Sequence, residues 1–559
     1  MSQIVGDRTI EAVNECLDLL RKKGFPKLPI DYEPPIGDFA LICFPAAKEM
    51  RKKPEDIAKE LAIEIENLET VESVSVEKGY CNVSLKWIIF ADDFLSETMH
   101  EEYSRGKGRK GTILIEHTSA NATGPFHMGR ARNPIIGDSI ARLFTHHGHK
   151  VKTEYYVNDT GRQAATLAYG LENFRPKIEG KKDHALVSCY RQASDKLKDE
   201  LEVRDSIYKR MELIEKGDKK TLEIVRKAAE EMMEGMKLSL KRLKAEADTY
   251  FHESDLIESG VVNDVIKKLK KGNLCGEENG AYYLNLESED VAGRNQKFFF
   301  TRENGLSLYT TRDIAYHLDK FERCDGALNI LGEDHKLQGK LLGIALRELG
   351  AKQPKNLFYS FVNLPGGKMS TRAGRVVYLD DIMEKIVDLA KEKLKETEIG
   401  DELKDQLAEE IGIGALRYNV LKVQCEKGFT FNFDEALNLQ GDSAPFAMYS
   451  YARACSIIRK YGADIPNSKL DGEIENSELK LMRTLAKWPK IVEKAAINYS
   501  IHYIPNYVHT LSSDFNQFYR DCPVIGNKNE NYRINLVCCT KKTLEEGLSI
   551  IGIKAPERM

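Results

Sequence analysis

The chain has 559 residues, of which 42% are hydrophobic and 30% charged, and its formal net charge is −4. This length exceeds one ordinary core and predicts roughly three to four globular domains, which excludes a largely disordered chain. No apolar run reaches the ~18 residues of a membrane-spanning helix, and the acidic balance excludes a simple basic nucleic-acid-binding protein.

The amino-terminal residues and the distribution of cysteines favour a location in the cytoplasm. The first twenty residues, MSQIVGDRTIEAVNECLDLL, lack a basic stretch followed by an apolar one, so they do not resemble a secretory signal. The eleven cysteines are scattered, without a CxxC pair. This pattern favours reduced thiols over disulfides and offers no zinc-ligand spacing. We therefore expect a cytoplasmic protein without a metal site of its own.

Residues 1–105 are expected to form a small α/β module. Pro54 opens a segment with apolar residues at helical spacing, and proline is favoured in the first turn of a helix. The segment SVSVEKGYCNVSLK alternates around Lys78-Gly79, which predicts a β-hairpin. The glycine- and lysine-rich stretch from Ser104 to Gly111 is typical of a linker.

The following segments predict a Rossmann-like parallel sheet over residues 106–380. TILIEH and VKTEYYV are short runs suited to buried strands, and ARNPIIGDSIARLFTHHG between them has a helical pattern. The charged, amphipathic stretch at about 165–290 is interpreted as a helical insertion. The runs FFFT, SLYTT, ALNILG and NLFYSFVNL are then predicted to resume the sheet.

The remainder is predicted to be helical, with a stem over residues 381–440 and a separate all-α bundle over 441–559. From Gly441 to Met559 the chain carries 16 Lys and Arg against 13 Asp and Glu. If the protein binds RNA, this part is the better electrostatic candidate. An ordinary solvated surface explains so small an excess equally well.

The first segment with chemical potential is Gly124-Pro125-Phe126-His127-Met128-Gly129-Arg130, between a predicted strand and a predicted helix. The amides at a helix N-terminus bind phosphate well. The glycine spacing matches a Walker loop, but that motif needs Lys followed by Ser or Thr, and Arg130-Ala131 stand there. The alternative is the His-x-Gly-His nucleotide loop, which His127 and Gly129 fit. By itself such a short match also arises by chance.

The second segment is Gly366-Gly367-Lys368-Met369-Ser370-Thr371-Arg372. Its glycine pair predicts a mobile loop, and Lys368 can reach a pyrophosphate as a point charge. A solvated turn explains this segment alone. The two segments together, about 240 residues apart and each beside a predicted strand, indicate a nucleotide site far more specifically.

Together the two segments resemble the His-x-Gly-His and Lys-Met-Ser-Lys-Ser signatures of class I aminoacyl-tRNA synthetases. Their surroundings resemble arginyl-tRNA synthetases, on the segments IEHTSANATGPFHMGRARNPIIGDSIARL, EYYVNDTGRQ, LYTTRDIAYHL and GGKMSTRAGRVVYLDDI. GDFAL resembles the extra amino-terminal domain of that family. GALRYNVLK, FNFDEALNLQGDSAPFAMYSYARACSIIRK, FNQFYRDCPV and APERM resemble its helical anticodon-binding domain. The resemblance covers essentially the whole chain.

The resemblance implies ATP-dependent ligation of L-arginine to its tRNA, with Mg²⁺ accompanying ATP. We expect the chain to act as a monomer. It assigns catalysis and ATP binding to His127, Gly129, Arg130, Lys368, Met369 and Ser370. It assigns arginine binding to Glu116, Ser119, Asn121, Tyr309, Asp313 and His335. In this assignment Glu116 and Asp313 bind the guanidinium, and Ser119 and Asn121 lie at the α-amino group.

The chemistry of a guanidinium and the spacing of residues along a helix support the assignment of Tyr309 and Asp313. A guanidinium is a planar fork of donors that pairs with carboxylates, and Tyr309 precedes Asp313 by one helical turn on the same face. Taken alone, Glu116 is better interpreted as an exposed acid at a strand end, and Asp313 as a surface charge on a helix. His335 stands near the place where some relatives use Gln, and a core histidine is an equally good interpretation.

For tRNA, the resemblance points to Tyr449, Arg459, Tyr519 and Met559 at the anticodon and to Phe39 at the D-loop. Unpaired RNA bases are commonly read by stacking on aromatic rings and Arg. The two tyrosines are equally suited to the core of a helical bundle.

Two departures from the signatures leave a rival open. Arg130 stands where the first signature ends in His, and Thr371 stands where the second has its second Lys. These changes suit a catalytically impaired paralogue that binds tRNA or protein, although Glu116, Asn121 and Lys368 would have no reason to persist there. A cysteinyl-tRNA synthetase shares the helical domain type but needs a thiolate and His zinc site, which the sequence lacks.

Overall fold

In a computed structural model the described residues are 8–32, 34–108, 110–289, 296–363, 377–395 and 400–559. The amino-terminal module contains α1 (Arg8–Lys22), β1 (Ile30–Asp31), β2 (Phe39–Ile42), α2 (Ala46–Met50), α3 (Pro54–Ile65), β3 (Val71–Glu77), β4 (Tyr80–Leu85) and α4 (Ala91–Met99). Its strands form an antiparallel sheet in the order β1-β2-β4-β3. The hairpin predicted at Lys78-Gly79 joins β3 to β4, and α3 begins at Pro54 as predicted.

The central part contains β5 (Thr112–Glu116), α5 (Arg132–His146), β6 (Lys150–Val157), α6 (Gly161–Asn173), α7 (Lys182–Asp199), α8 (Leu201–Glu215), α9 (Lys219–Arg242), β7 (Thr249–His252), α10 (Glu253–Glu258), α11 (Val261–Lys270), β8 (Cys275–Glu278), β9 (Ala281–Asn285), β10 (Lys297–Phe299), α12 (Tyr309–Arg323), β11 (Gly326–Gly332), α13 (Lys336–Glu348), β12 (Lys355–Tyr359) and β13 (Val362–Asn363). Five strands pair in parallel in the order β12-β11-β5-β6-β7, which confirms the predicted Rossmann-like sheet. The strand order reverses between β5 and β11, and open α/β sheets bind ligands at the carboxyl ends of strands at such a point.

Three segments differ from the strand prediction. β7 lies inside the stretch interpreted as the insertion, yet it pairs with β6 in the parallel sheet. The run FFFT contributes β10 to a separate antiparallel sheet with β9, and SLYTT contains the start of α12 instead of a strand. Thr310 Oγ1 donates to the carbonyl of Phe299 at 3.0 Å, which ties the β-prone Tyr-Thr-Thr sequence at the start of α12 to β10. Tertiary packing has here overridden local propensity.

The remaining elements are α14 (Leu379–Lys393), α15 (Asp401–Leu421), β14 (Phe429–Thr430), α16 (Phe433–Ala436), α17 (Ala444–Tyr461), α18 (Asn476–Ala486), α19 (Trp488–Ile497), α20 (Tyr503–Asp521) and α21 (Glu530–Ile550). The carboxyl-terminal bundle is all-helical, as predicted, and it buries Trp488 completely. Among the described residues, no helix combines the length and the apolar character needed to cross a bilayer. The domain boundaries given above remain predictions.

A buried arginine joins the sheet domain to the stem. Arg132, in the first turn of α5, has no exposed surface. Its Nη1 donates to the carbonyls of Ser360 and Lys427, each at 2.7 Å, and its Nη2 donates to those of Val423 and Gln424 at 3.2 and 2.7 Å. The start of α5 is thereby fixed to the segment that follows α15.

Candidate active site and tRNA-binding surface

The turn after β5 is shaped by two residues in the left-handed region. Thr118 has φ 70° and Ser119 has φ 38°, which is strained backbone for residues other than glycine. The Thr118 amide donates to Asn133 Oδ1 at 2.6 Å, which holds the turn against α5. Ser119 Oγ then donates to Glu116 Oε1 at 2.9 Å and accepts from the Tyr156 amide at 3.0 Å. The strain therefore places a hydroxyl between the ends of β5 and β6.

The first signature segment forms a short 3-10 turn, Met128–Arg130, directly before α5. Met128 and Gly129 are buried, whereas His127 and Arg130 are exposed. Partial loss of solvation around the ring lowers the pKa of His127, and the neighbouring Arg130 guanidinium lowers it further. At neutral pH the permanent positive charge at this turn is therefore that of Arg130.

The chain leaving the second signature region lies against this turn. The Met128 amide donates to the carbonyl of Val377 at 3.3 Å, and the Leu379 amide donates to that of Phe126 at 2.7 Å. His127 and Tyr378 form an antiparallel bridge between these contacts. Lys368, Met369, Ser370 and Thr371 lie outside the described residues. The described part fixes where that region ends, beside His127.

Two clefts adjoin at this position. A cleft of about 220 Å³ is lined by residues that include His127, Arg130 and Tyr378. A second, of about 480 Å³, is lined by residues that include Tyr309. Asn121 and Gln163 line both, so they stand where the two spaces meet. Gln163, in the first turn of α6, was not predicted as a site residue from the sequence. The feature that could have indicated it is its place at the end of EYYVNDTGRQ, a segment that resembles the family.

The start of α12 presents the predicted tyrosine and aspartate. Tyr309 is the first residue of the helix and is 60% exposed, and Asp313 follows one turn later. Burial raises the pKa of Asp313, but hydrogen bonding and charge from His317, with Lys320 and Gln338, outweigh it and lower the pKa below its usual value. Asp313 is thus held as a carboxylate with 27% of its side chain exposed.

Gln338, rather than His335, contacts Asp313. His335 ends a 3-10 turn before α13 and is exposed, with its Nδ1 3.3 Å from Gln338 Oε1. Gln338 Nε2 donates to Asp313 Oδ2 at 3.3 Å. Gln338 lies one helical turn after His335, and this turn brings the glutamine to Asp313. The prediction from the sequence fell on position 335, near the place where some relatives use Gln, and not on position 338.

Glu116 already has two protein partners. Ser119 donates to Oε1, and Lys320 Nζ donates to Oε2 at 2.6 Å. Lys320 has no exposed side-chain surface and Glu116 is 9% exposed. Lys320 was not singled out in the sequence because nothing in the spacing of α12 shows which strand end it reaches.

The aromatic pair in the bundle encloses an arginine. Tyr449 and Tyr519 are 41% and 43% exposed, and the Arg453 guanidinium lies 4.7 Å from the centre of each ring. Arg453 also donates to Asn516 Oδ1. Tyr449, Arg453 and Asn516 line a cavity of about 680 Å³. Arg453 was missed in the sequence although it stands four residues after Tyr449 on the same helix face.

The other predicted tRNA residues fall into two groups. Arg459 Nη1 donates to the carbonyl of Glu557 at 3.1 Å, which holds the segment ending in Met559 beside α17. Phe39 is 1% exposed in β2, within the core of the amino-terminal module. The Phe39 ring is therefore covered in this conformation, and its contact with the D-loop stays a prediction.

One acidic and histidine cluster resembles a metal site in the described part of the chain. Asp183, His184 and Asp380 bring possible ligand atoms together. Lys181 Nζ lies 3.0 Å from Asp183 Oδ2 and 2.7 Å from Asp380 Oδ2, so an ammonium already supplies the positive charge. These contacts tie α7 to the start of α14, next to the chain that leaves the second signature region.

Comparison with known proteins places the whole chain in one family. A family model described as tRNA synthetases class I (R), catalytic domain, matches residues 94–433. The DALR anticodon binding domain matches residues 447–559, and the arginyl tRNA synthetase N terminal domain matches residues 8–85.

Individual relatives agree over nearly the full length. The chain is 37% identical over 543 residues to an arginine--tRNA ligase of Methanocaldococcus jannaschii, covering 94% of each chain. It is 39% identical over 527 residues to one of Archaeoglobus fulgidus, covering 93% of this chain and 94% of that one. The structure of Thermus thermophilus arginyl-tRNA synthetase superposes with a TM-score of 0.83 at 25% identity, covering 99% and 100% of the two chains. The chain belongs to the arginyl-tRNA synthetase family.

Proposed function

We propose that this chain attaches L-arginine to its cognate tRNA in an ATP-dependent reaction. The observation that carries the proposal is the meeting of two clefts at Asn121 and Gln163, one beside the cationic turn of Arg130 and the other beside Tyr309. An amino-acid carboxylate and a nucleotide phosphate bound in adjoining clefts are held close enough to react. Membership of the family supports the same reaction.

The first step joins arginine to the nucleotide. A carboxylate oxygen of arginine attacks the α-phosphorus of ATP, the bond to the β-phosphate oxygen breaks, and pyrophosphate leaves. The product is arginyl-adenylate, a mixed anhydride. No side chain of the protein needs to act as a nucleophile, because positioning and stabilisation of phosphate charge supply the catalysis.

The second step uses the tRNA. A hydroxyl of its terminal ribose attacks the carbonyl carbon of the adenylate, the anhydride bond breaks, and AMP leaves with the bonding electrons. The hydroxyl proton passes to a phosphate oxygen or to solvent. Each step conserves charge without an oxidant or reductant.

For arginine, we assign the site to Glu116, Ser119, Asn121, Tyr309 and Asp313. Asp313 carries the central role, because its ionised, partly exposed carboxylate can accept two hydrogen bonds from a planar guanidinium. Gln338 orients that carboxylate, so it takes the place first given to His335.

For ATP, we assign phosphate binding to His127, Gly129 and Arg130, with Mg²⁺ entering as part of the nucleotide substrate. Arg130 is exposed beside the N-terminus of α5, where both the guanidinium and the helix end favour an anion. Lys368, Met369 and Ser370 are assigned to the pyrophosphate on the resemblance of their segment alone.

For tRNA, we assign the anticodon surface to Tyr449, Arg453, Arg459, Tyr519 and Met559. Two partly exposed rings around a guanidinium offer flat faces for unpaired bases. We also propose that the protein acts as a monomer in the cytoplasm.

The test is aminoacylation with labelled arginine. The full-length protein is incubated with ATP, Mg²⁺, tRNA and labelled arginine, and label is counted in acid-precipitated tRNA. We expect label to accumulate and to require both ATP and tRNA. The same reaction with labelled lysine is the control, because an ammonium lacks the planar fork of donors. Binding of tRNA without any transfer of arginine would identify an impaired paralogue instead.

A further inference from the structure

Lys320 is a fully buried cation beside the proposed arginine site and takes no part in the steps above. It lies on α12, near the end opposite to Asp313, and its Nζ donates to Glu116 Oε2 at 2.6 Å and to Asn329 Oδ1 at 2.9 Å. Glu116 and Asn329 are register partners on the adjacent parallel strands β5 and β11. One ammonium therefore reaches both strands at the point where the strand order reverses.

The chemistry of these groups fixes the direction of each hydrogen bond. An ammonium can only donate, so the Asn329 atom facing Lys320 is the carbonyl oxygen. The Asn329 amide nitrogen then faces His317 Nε2, at 2.9 Å. Because that nitrogen can only donate, Nε2 must accept, and the ring proton is on Nδ1.

The same chain of contacts ends at Asp313, the carboxylate that is proposed to bind the guanidinium of arginine. His317 Nδ1 lies 3.2 Å from Asp313 Oδ1 and 2.8 Å from the Asp313 carbonyl. Lys320, Asn329, His317 and Asp313 thus form a relay in which every donor is determined by the buried ammonium. The relay delivers a proton donor, not an acceptor, to Asp313, which favours its ionised form.

The charged groups around the relay differ in what they contact. Lys320 pairs with Glu116 at 2.6 Å, and Arg323 pairs with both Glu154, at 2.6 Å, and Asp319, at 2.7 Å. Asp313 Oδ1 lies 3.2 Å from the His317 ring, and the Asp313 side chain is partly exposed. Its carboxylate is therefore open to a guanidinium, which can donate two hydrogen bonds to it.

We propose that Lys320 is a positioning residue for arginine recognition. It holds Glu116 in place beside Ser119 and, through Asn329 and His317, orients the Asp313 carboxylate for the guanidinium. This inference rests on the proposed function and specifies how its amino-acid site is built.

The test uses three variants of the full-length chain. Lys320→Met removes the ammonium, Asn329→Leu interrupts the relay but leaves the Lys320–Glu116 pair, and the double variant Glu116→Gln with Lys320→Met removes both charges of that pair. Arginine KM, ATP KM and the thermal unfolding midpoint are measured for each. Calorimetric titration with arginine alone repeats the comparison without turnover.

Lys320→Met and Asn329→Leu should each raise the arginine KM and Kd on the order of tenfold. The ATP KM should change less than about twofold, since the nucleotide cleft is untouched. The double variant should regain the unfolding midpoint lost in Lys320→Met, because no buried carboxylate is left unpaired, yet its arginine KM should stay raised.

Recovery of the arginine KM in the double variant would overturn the proposal, because Lys320 would then only neutralise Glu116. Equal changes in the arginine and ATP KM would overturn it too, by showing a general structural effect. A wild-type protein that binds arginine but does not transfer it to tRNA would contradict the proposed function, while the calorimetric comparison would still decide the role of Lys320.

Discussion

At the scale of single residues, the charge states of Asp313 and Arg130 decide which substrate groups can bind. Asp313 is held as a carboxylate by His317, Lys320 and Gln338, against the effect of burial. Arg130 supplies a permanent positive charge, while the pKa of His127 is lowered by partial loss of solvation and by Arg130.

Replacing Asp313 by Ala should cripple the use of arginine. A bound guanidinium that loses its carboxylate partner costs on the order of 3–5 kcal/mol, which lowers kcat/KM for arginine by more than about a hundredfold. Asp319→Asn is the matched control on the same helix, because Asp319 is a partly exposed partner of Arg323. An arginine KM and kcat in Asp313→Ala equal to those of the wild type would refute the assignment.

The pH dependence of arginine binding follows from the lowered pKa of Asp313. A carboxylate with a lowered pKa is ionised throughout the neutral range and gains its proton only as the pH falls below its usual value near 4. Binding should therefore be constant from neutral pH downwards and be lost only in acid. Arginine affinity by calorimetry measures this, and a fall in affinity centred near pH 6 to 7 would show that a histidine controls the site instead.

Arg130→His should make ATP use depend on pH, although it restores the commoner signature. Histidine is charged only below a pKa near 6.5, whereas a guanidinium is charged throughout. The ATP KM of the variant should rise between about pH 6 and 8, and that of the wild type should stay flat over that range. Identical profiles for the two proteins would show that Arg130 does not face the phosphates.

At the scale of elements, helical spacing predicted some contacts of the arginine site, whereas other contacts depend on how α12 packs on the sheet. Tyr309 and Asp313 share a helix face whatever the tertiary fold, so their relation was available from the sequence. The contact of Lys320 with Glu116 depends on α12 crossing the edge between β5 and β11, which no local pattern reveals. The same holds for β7, which is too short and isolated within helices to be predicted as part of the sheet.

The helix pair α17 and α20 forms the element-scale site for RNA. Arg453→Met should raise the Kd for tRNA about tenfold, because stacking of one base is worth ~1–3 kcal/mol. The arginine KM should not change. Lys480→Met removes the same charge from α18, where Lys480 pairs with Asp514 and is 58% exposed, and it should have a much smaller effect. Equal losses in filter-binding assays would reduce the role of Arg453 to net charge.

At the scale of the whole molecule, buried arginines hold the parts in register. Arg132 donates to four carbonyls without an acidic partner among the described contacts, and Arg417 joins α15 to Asp138 of α5 and to the carbonyl of Ile551. These long-range contacts could not be inferred from the sequence, although the order of the domains could. They connect the stem to the helix that begins beside Arg130.

Arg132→Met should destabilise the fold by on the order of 2–4 kcal/mol, because several buried carbonyls lose their donor. Arg142→Met is the control, since Arg142 is 40% exposed and its partner Asp138 keeps its ion pair with Arg417 in the variant. Urea unfolding followed by tryptophan fluorescence compares them. The interpretation of Arg132 as a joint between domains would be wrong if both variants unfolded at the same denaturant concentration.

The most direct test of the central claim is the identity of the amino acid that the protein places on tRNA. The full-length chain is incubated with ATP, Mg²⁺, total tRNA and an equal mixture of the twenty amino acids, and the tRNA is recovered, deacylated and analysed by mass spectrometry. The account predicts arginine alone, because the ionised carboxylate of Asp313 selects the planar fork of donors that a guanidinium has. Another amino acid on the tRNA, or tRNA that stays bound and uncharged, would contradict it.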